Sequence, residues 1–299
     1  MENMVGIGQC TDFLQKQVYS LGRDVGVIPD PQMDRSFTSY LSPNSSTHLS
    51  SDYMDVHRSL SPEQLGMFNH SLRATLGESG KVTQGGVGVV ALALSFLFDV
   101  LAQQAKNQTG STHFIHRIFR ERDGNNSSEV GTVIIDYLKL VLLIANDPQR
   151  MKEETERYEQ RLNHSLVGHF ERTVKAQNSS WTDWKIFTHG LAFHQHMMIH
   201  QVRMGADISL EQLIEKDWEN CMDKFAKKGQ LNLDEMTNIV ERLRSISPEK
   251  HQLLTRCKDI GPILMSHFVY DVIIEGMTFF LAFQRHAPLF LSQNVHFFY

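Results

Sequence analysis

Residues 87–102 read Val-Gly-Val-Val-Ala-Leu-Ala-Leu-Ser-Phe-Leu-Phe-Asp-Val-Leu-Ala. Two other runs, Val133–Ala145 and Ile260–Phe283, are nearly as apolar. Each run holds acid: Asp99 in the first, Asp136 in the second, Asp271 and Glu275 in the third. Whether these runs cross a bilayer or fill a core decides the fold. A spanning helix needs about 20 consecutive apolar residues, so the first two are too short. The third is long enough but contains His267, Asp271 and Glu275. Each such charge at a bilayer centre costs roughly 2.5–3.5 kcal/mol.

The spacing of the polar residues turns these runs into helices of a bundle. Residues three, four or seven apart share one side of a helix. In the first run Gln84, Gly88, Ser95, Asp99 and Gln103 fall on one narrow stripe. Thr132, Asp136 and Lys139 do the same in the second, and His267, Asp271, Thr278 and Arg285 in the third. A wide apolar face with a thin polar seam is the pattern of a central helix among amphipathic neighbours. The expectation is an all-α bundle of about nine helices around three strongly apolar central ones.

The surrounding sequence supplies those neighbours. Ser61-Pro62-Glu63-Gln64 combines a capping Ser, a Pro in the first turn and a Gln at the third helical position, which together open a helix. Leu65, Phe68, Leu72 and Leu76 then share a face, and Gly77 and Gly80 stop it. Further helices are expected at 84–106, Ser111 to Arg122, 132–145, 148–176 and 181–204. The 148–176 helix starts from a capping Asp147 and buries Met151, Tyr158, Leu162, Leu166, Phe170 and Val174. Ser209–Ala226, a helix capped by Asn232 and another opened by Ser247-Pro248-Glu249 lead into the third apolar run. A turn is expected at Gly124-Asn125-Asn126.

The N-terminal part reads differently. Residues 1–22 contain one short helix, with Phe13, Leu14, Val18 and Leu21 on one side. Residues 23–58 carry Pro29, Pro31, Pro43 and many serines, with apolar residues appearing singly. They read as a disordered linker, leaving 59–299 as a single helical-bundle domain.

Composition narrows the functional classes. The chain has 299 residues, 41% hydrophobic and 21% charged, with a net charge of −5. That balance is globular, and no basic patch points to nucleic acid. Cys10, Cys221 and Cys257 are odd in number and widely spaced, which fits a reducing compartment better than a disulfide framework. Met1–Gln17 lacks the basic start and apolar core of a secretory signal. These features place the protein in the cytoplasm. Against them, Asn-x-Ser/Thr sequons begin at Asn44, Asn69, Asn107, Asn125, Asn126, Asn163 and Asn178. Chance predicts roughly two, so a secreted glycoprotein is the alternative.

Candidate chemistry gathers on one helix, where His189, His194, His196 and His200 lie within twelve residues. His196 and His200 are four apart and face the same way, as two metal ligands must. His189 lies seven before His196 and is the candidate third ligand. Asp99, Asp136 or Asp271 would complete such a set from another helix. The His-Glu-x-x-His and Glu-x-x-His patterns are absent, so the known zinc-protease and di-iron arrangements do not apply.

Two loops imitate nucleotide sites and fail. Gly77–Thr83 has Thr75 where a phosphate loop needs Gly and Val82 where it needs Ser or Thr. Gly86-Val87-Gly88-Val89-Val90-Ala91 matches a dinucleotide fingerprint but lacks the preceding strand. The tail Phe297-Phe298-Tyr299 has the form of a strand-addition ligand, or it folds back on the bundle.

The order of short helix, Ser-rich segment and bundle around an apolar helix resembles the layout of Bcl-2-like proteins. Leu72-Arg73-Ala74-Thr75-Leu76-Gly77-Glu78 is only a poor version of their interaction helix, and their Asn-Trp-Gly-Arg motif is missing. No family follows from the sequence. The reading is a non-enzymatic bundle acting through protein partners, without cofactor and without nucleic acid. The first alternative is a conditionally membrane-inserting protein using 84–106 or 260–286, with a membrane surface as partner. The second is a metal-dependent enzyme using the His189–His200 helix.

Overall fold

The computed structural model describes residues 15–17, 19–20, 32–82, 85–108, 113–121, 127–175, 181–208, 271, 278, 282, 285–293 and 297–299. The chain divides into two compact units. One comprises Met1–Gln32, Arg172–Trp181 and Lys216–Phe280; the other comprises Met33–Glu171, Thr182–Glu215 and Leu281–Tyr299. The expected 59–299 body is thus shared between them. Of the first unit, residues 15–17 and 19–20 are helical, as are Asp271 and Thr278. The helices expected between Ser209 and Lys250, the Gly124 turn and most of Ile260–Phe283 lie outside the described residues.

The second unit is an all-α bundle. Its helices are α1 (Arg35–Tyr40), α2 (Ser45–Ser59), α3 (Pro62–Leu76), α4 (Gly88–Ala105), α5 (Phe114–Ile118), α6 (Glu129–Leu143), α7 (Pro148–Lys175) and α8 (Trp181–Arg203). Residues 285–292 are also helical. The first apolar run, α4, packs against α2, α3 and α6. Every residue from Val89 to Phe98 is buried. Fully burying a large apolar side chain is worth about 1.5–3 kcal/mol, so α4 anchors the core.

The helix starts read from sequence are realised. Ser61 Oγ accepts from the Gln64 N–H at 3.3 Å, and Gln64 Oε1 accepts from the Ser61 N–H at 2.9 Å. Asp147 Oδ1 accepts from the Arg150 N–H at 3.0 Å at the start of α7. α6 begins three residues earlier than expected because Ser128 caps it, accepting from the Gly131 N–H. α5 is shorter than its expected span, opening at His113, whose Nδ1 accepts from the Ile115 N–H at 3.4 Å.

The segment 23–58 requires correction. Residues 33–58 are not a disordered linker: they form α1 and most of α2 and belong to the second unit. The apolar residues that appear singly are Phe37, Tyr40 and Leu41, spaced three and four apart, then Leu49. All four are buried. Asp34 Oδ1 caps α1 by accepting from the N–H groups of Ser36 and Phe37. Few apolar residues suffice because these four reach the core, whereas Met54 of the same segment stays exposed.

The tail folds back. Phe297-Phe298 forms a two-stranded antiparallel ladder with Lys81-Val82, pairing Lys81 with Phe298 and Val82 with Phe297. The Tyr299 N–H donates to Gly80 O at 3.0 Å, and its hydroxyl donates to Gly77 O. Phe297 packs against Tyr53 and Phe98. The Gly-rich stretch after α3 is therefore a docking edge for the C-terminus.

Candidate functional site

The histidines of α8 go to different places. The Nδ1 of His189 lies 2.7 Å from Lys185 O, and its Nε2 lies 2.9 Å from the Asp34 backbone nitrogen. The carbonyl can only accept and the amide can only donate, so Nδ1 carries the proton and Nε2 accepts. Both nitrogens are used, and burial lowers the His189 pKa to about 4. The lone pair that a third-ligand role would need from His189 holds the start of α1. His194 Nε2 donates to Glu159 Oε1 on α7 at 2.6 Å.

His196 and His200 do face one place. They line a cleft together with Val87, Gly88 and Val89 of α4, Ile199 and Arg203 of α8, and Phe290 and Gln293. Its volume is about 10 Å³, at the lower edge of the roughly 10–15 Å³ that one water needs. The His196 ring meets Phe290 edge-on at 4.9 Å. His200 is 2% exposed, and neither of its ring nitrogens has a hydrogen-bond partner. Burial lowers the pKa of both histidines to about 3, and the Arg203 guanidinium adds to the effect at His200. Both rings are neutral at neutral pH.

Two features beside these rings bear positive charge. The cleft receives the N-terminal end of α4, which carries about half a positive charge, and the Arg203 guanidinium. Asp99 and Asp136 do not line it. Among the described residues no three His, Cys, Asp or Glu side chains are grouped to hold a metal ion.

The polar seam of α4 leads to a second cluster, which the sequence did not reveal. Ser95 Oγ lies 3.0 Å from His113 Nε2 and donates to Asp52 Oδ2 at 3.0 Å. Asp52 Oδ2 also accepts from the Tyr40 hydroxyl at 2.5 Å. Asp99 Oδ2 accepts from the His113 N–H at 3.1 Å. Serine, histidine and aspartate are thus adjacent, but the proton order is wrong for nucleophilic catalysis. An activating histidine must accept the serine proton. Here Nδ1 of His113 already accepts from Ile115, so Nε2 carries the hydrogen and donates to Ser95. Ser95 then passes its own proton towards Asp52.

Burial lowers the His113 pKa to about 4 despite the opposing negative charges of Asp99 and Asp52. Burial, reinforced by Asp52, raises Tyr40 far above the ordinary phenol range. The cluster ties α1, α2, α4 and α5 together. Tyr40 and Asp52 lie in the segment read as linker, which is why no sequence motif joined them to Ser95 and His113.

No family model, curated protein or solved structure matches the chain.

Proposed function

We propose that this chain is a non-enzymatic helical-bundle protein of the cytoplasm that acts by binding other proteins. The observation that supports this reading is the fate of the chemistry-bearing side chains. His189, His194, Ser95, His113 and Asp52 are turned inward and bonded into the fold. Their protons and lone pairs serve packing, so the surface that remains for function is that of the helices. α7 presents Glu153, Glu156, Arg157 and Arg161 outward along its 28 residues.

The test is isolation of the tagged full chain from its native cell type after gentle cross-linking, with mass measurement of the resulting complex. A protein partner held at fixed stoichiometry supports the reading. Small-molecule turnover that disappears in Ser95→Ala or His200→Ala overturns it. Glycosidase treatment of the same material checks the compartment, since a mass shift moves the protein to the secretory route.

A second reading has one observation in its favour. α4 is 18 residues long and apolar enough to cross a membrane, although 72% of it is buried by its neighbours. Insertion would require those neighbours to release it. Leakage from anionic liposomes at acidic but not neutral pH would support this reading, and no binding at either pH would remove it.

A further inference from the structure

We propose that the edge of Lys81-Val82 and the aromatic pocket beside it form a strand-addition site for an extended segment of a partner protein of the form Phe-x-Tyr, a site that Phe297–Tyr299 occupy in cis. This rests on the reading of the chain as a protein-binding bundle and names its docking surface.

The cis occupant displays what the site reads. Lys81 pairs with Phe298 and Val82 with Phe297, and the Tyr299 N–H donates to Gly80 O at 3.0 Å. Main-chain bonds of this kind supply affinity for an extended peptide, while pockets for alternate side chains supply specificity. Phe297 is 6% exposed, and its ring centroid lies 5.7 Å from that of Tyr53 on α2 and 5.6 Å from that of Phe98 on α4. Tyr299 donates its hydroxyl to Gly77 O. Phe298, between them, is 67% exposed. The site reads an aromatic ring, skips one residue and reads a phenol.

The loop is shaped to admit a second backbone. Gly80 has a φ of +64°, and a Cβ there would lie 3.1 Å from Tyr299 O. A Cβ on Gly85 would lie 3.1 Å from that of Phe297. Glycine at such positions marks close approach of another chain segment.

The cis strand is held lightly enough to exchange. Among the described residues the ladder has only these two strands, and a two-stranded pair is marginal by itself. Of residues 297–299 only Phe297 is buried. A second copy of the chain offers the same three residues without the local concentration of the cis segment, so it does not displace it. A foreign segment that adds contact at the exposed middle position does.

The test titrates a fluorescent peptide of residues 291–299 into the full chain. Phe297→Ser empties the pocket and frees the edge. This variant should bind the peptide about tenfold or more tightly than wild type does, because a cis competitor weakens apparent affinity by the fraction of open sites. Phe297→Ala in the peptide should abolish binding, Tyr299→Phe should weaken it, and Phe298→Ala should leave it unchanged. No binding by the Phe297→Ser chain overturns the proposal, and so does equal binding of the Phe297→Ala peptide. Should Phe297→Ser fail to fold, Lys81→Cys combined with Phe298→Cys replaces it, joining ladder partners by a disulfide. The peptide should then bind the reduced form and be excluded from the oxidised one. Binding indifferent to oxidation, or absent from both forms, overturns the proposal. A wild-type dimer that the peptide dissolves assigns the site to a second copy and overturns the foreign partner. A cellular protein partner that binds wild type, Phe297→Ser and the oxidised form equally keeps the protein-binding reading and overturns this site. Peptide binding with no cellular protein partner upholds the site and removes that reading.

Discussion

The backbone N–H of Asp34 donates to Nε2 of His189 at 2.9 Å, across 155 residues of chain. One imidazole thereby joins the start of α1 to α8, and its other nitrogen returns to Lys185 O in its own helix. The ring also packs on Phe37 at 5.1 Å between centroids. His189→Phe keeps the ring volume and removes both hydrogen bonds. Leaving a buried donor unsatisfied costs about 1–3 kcal/mol, so urea denaturation should report a loss of that order. An unchanged midpoint would show that the Asp34 N–H finds another acceptor.

Acid should destabilise this protein earlier than carboxylate protonation alone would. His113 and His189 have pKa values of about 4, and His196 and His200 of about 3, in each case chiefly through burial. In the unfolded chain these groups titrate near the ordinary value of about 6.5. Above that pH both states are neutral and the histidines contribute no pH dependence. As pH falls from about 6.5 towards 4, the unfolded chain takes up protons that the native state refuses. Each histidine then removes up to about 1.4 kcal/mol per pH unit. Urea midpoints should be level between pH 8 and 7 and fall steeply between pH 6 and 4.5. A flat profile down to pH 4.5 would mean that these rings gain partners on protonation.

The helical architecture could be read from residues 87–102 because burial left its period in the sequence. The seam of Gly88, Ser95 and Asp99 was legible too, and each member meets a polar group. The partners were not legible. Ser45 and Asp52 sit in a segment whose serines and prolines imitate a solvated tether, and His113 was read as interior to a helix rather than as its cap. Composition reports how much apolar area a segment has. It does not report that Phe37, Tyr40 and Leu49 each bury completely or nearly so. The pairing of His196 with His200 followed from helical spacing, whereas the Arg203 and α4 side of their cleft depends on tertiary contact and left no local signal.

Ser95 tests whether the Ser-His-Asp cluster is structural. Ser95→Ala removes a hydroxyl that donates to Asp52 and accepts from His113. A hydrogen bond to a charged group is worth about 1.5–3 kcal/mol, so a destabilisation near that range is expected. A serine-directed fluorophosphonate should label neither the wild type nor the variant at this position, as read by mass spectrometry of peptides. Stoichiometric labelling of Ser95 would show that His113 can accept its proton after all.

Three glycine-to-alanine substitutions should give three different answers. In α3, Gly66 has nothing within 4 Å of an added Cβ, so Gly66→Ala should gain roughly 0.5–1 kcal/mol from helix propensity. In α8, Gly190 lets three helices approach: its Cβ would lie 2.7 Å from Val130 Cγ1 and 2.8 Å from Leu166 Cδ2. Those atoms end branched side chains and can shift, so Gly190→Ala should lose about 1–3 kcal/mol. In α6, a Cβ on Gly131 would lie 2.3 Å from Phe119 Cβ. That atom is bonded directly to the backbone, and no side-chain rotation moves it. Relief requires the chain around Phe119 to shift, together with the Ser128 N–H bond to Phe119 O at 2.8 Å. Gly131→Ala should therefore be the most destabilising of the three. Chemical denaturation of all three in one buffer checks the order, and a Gly131→Ala variant as stable as wild type would refute this account of how α6 approaches Phe119.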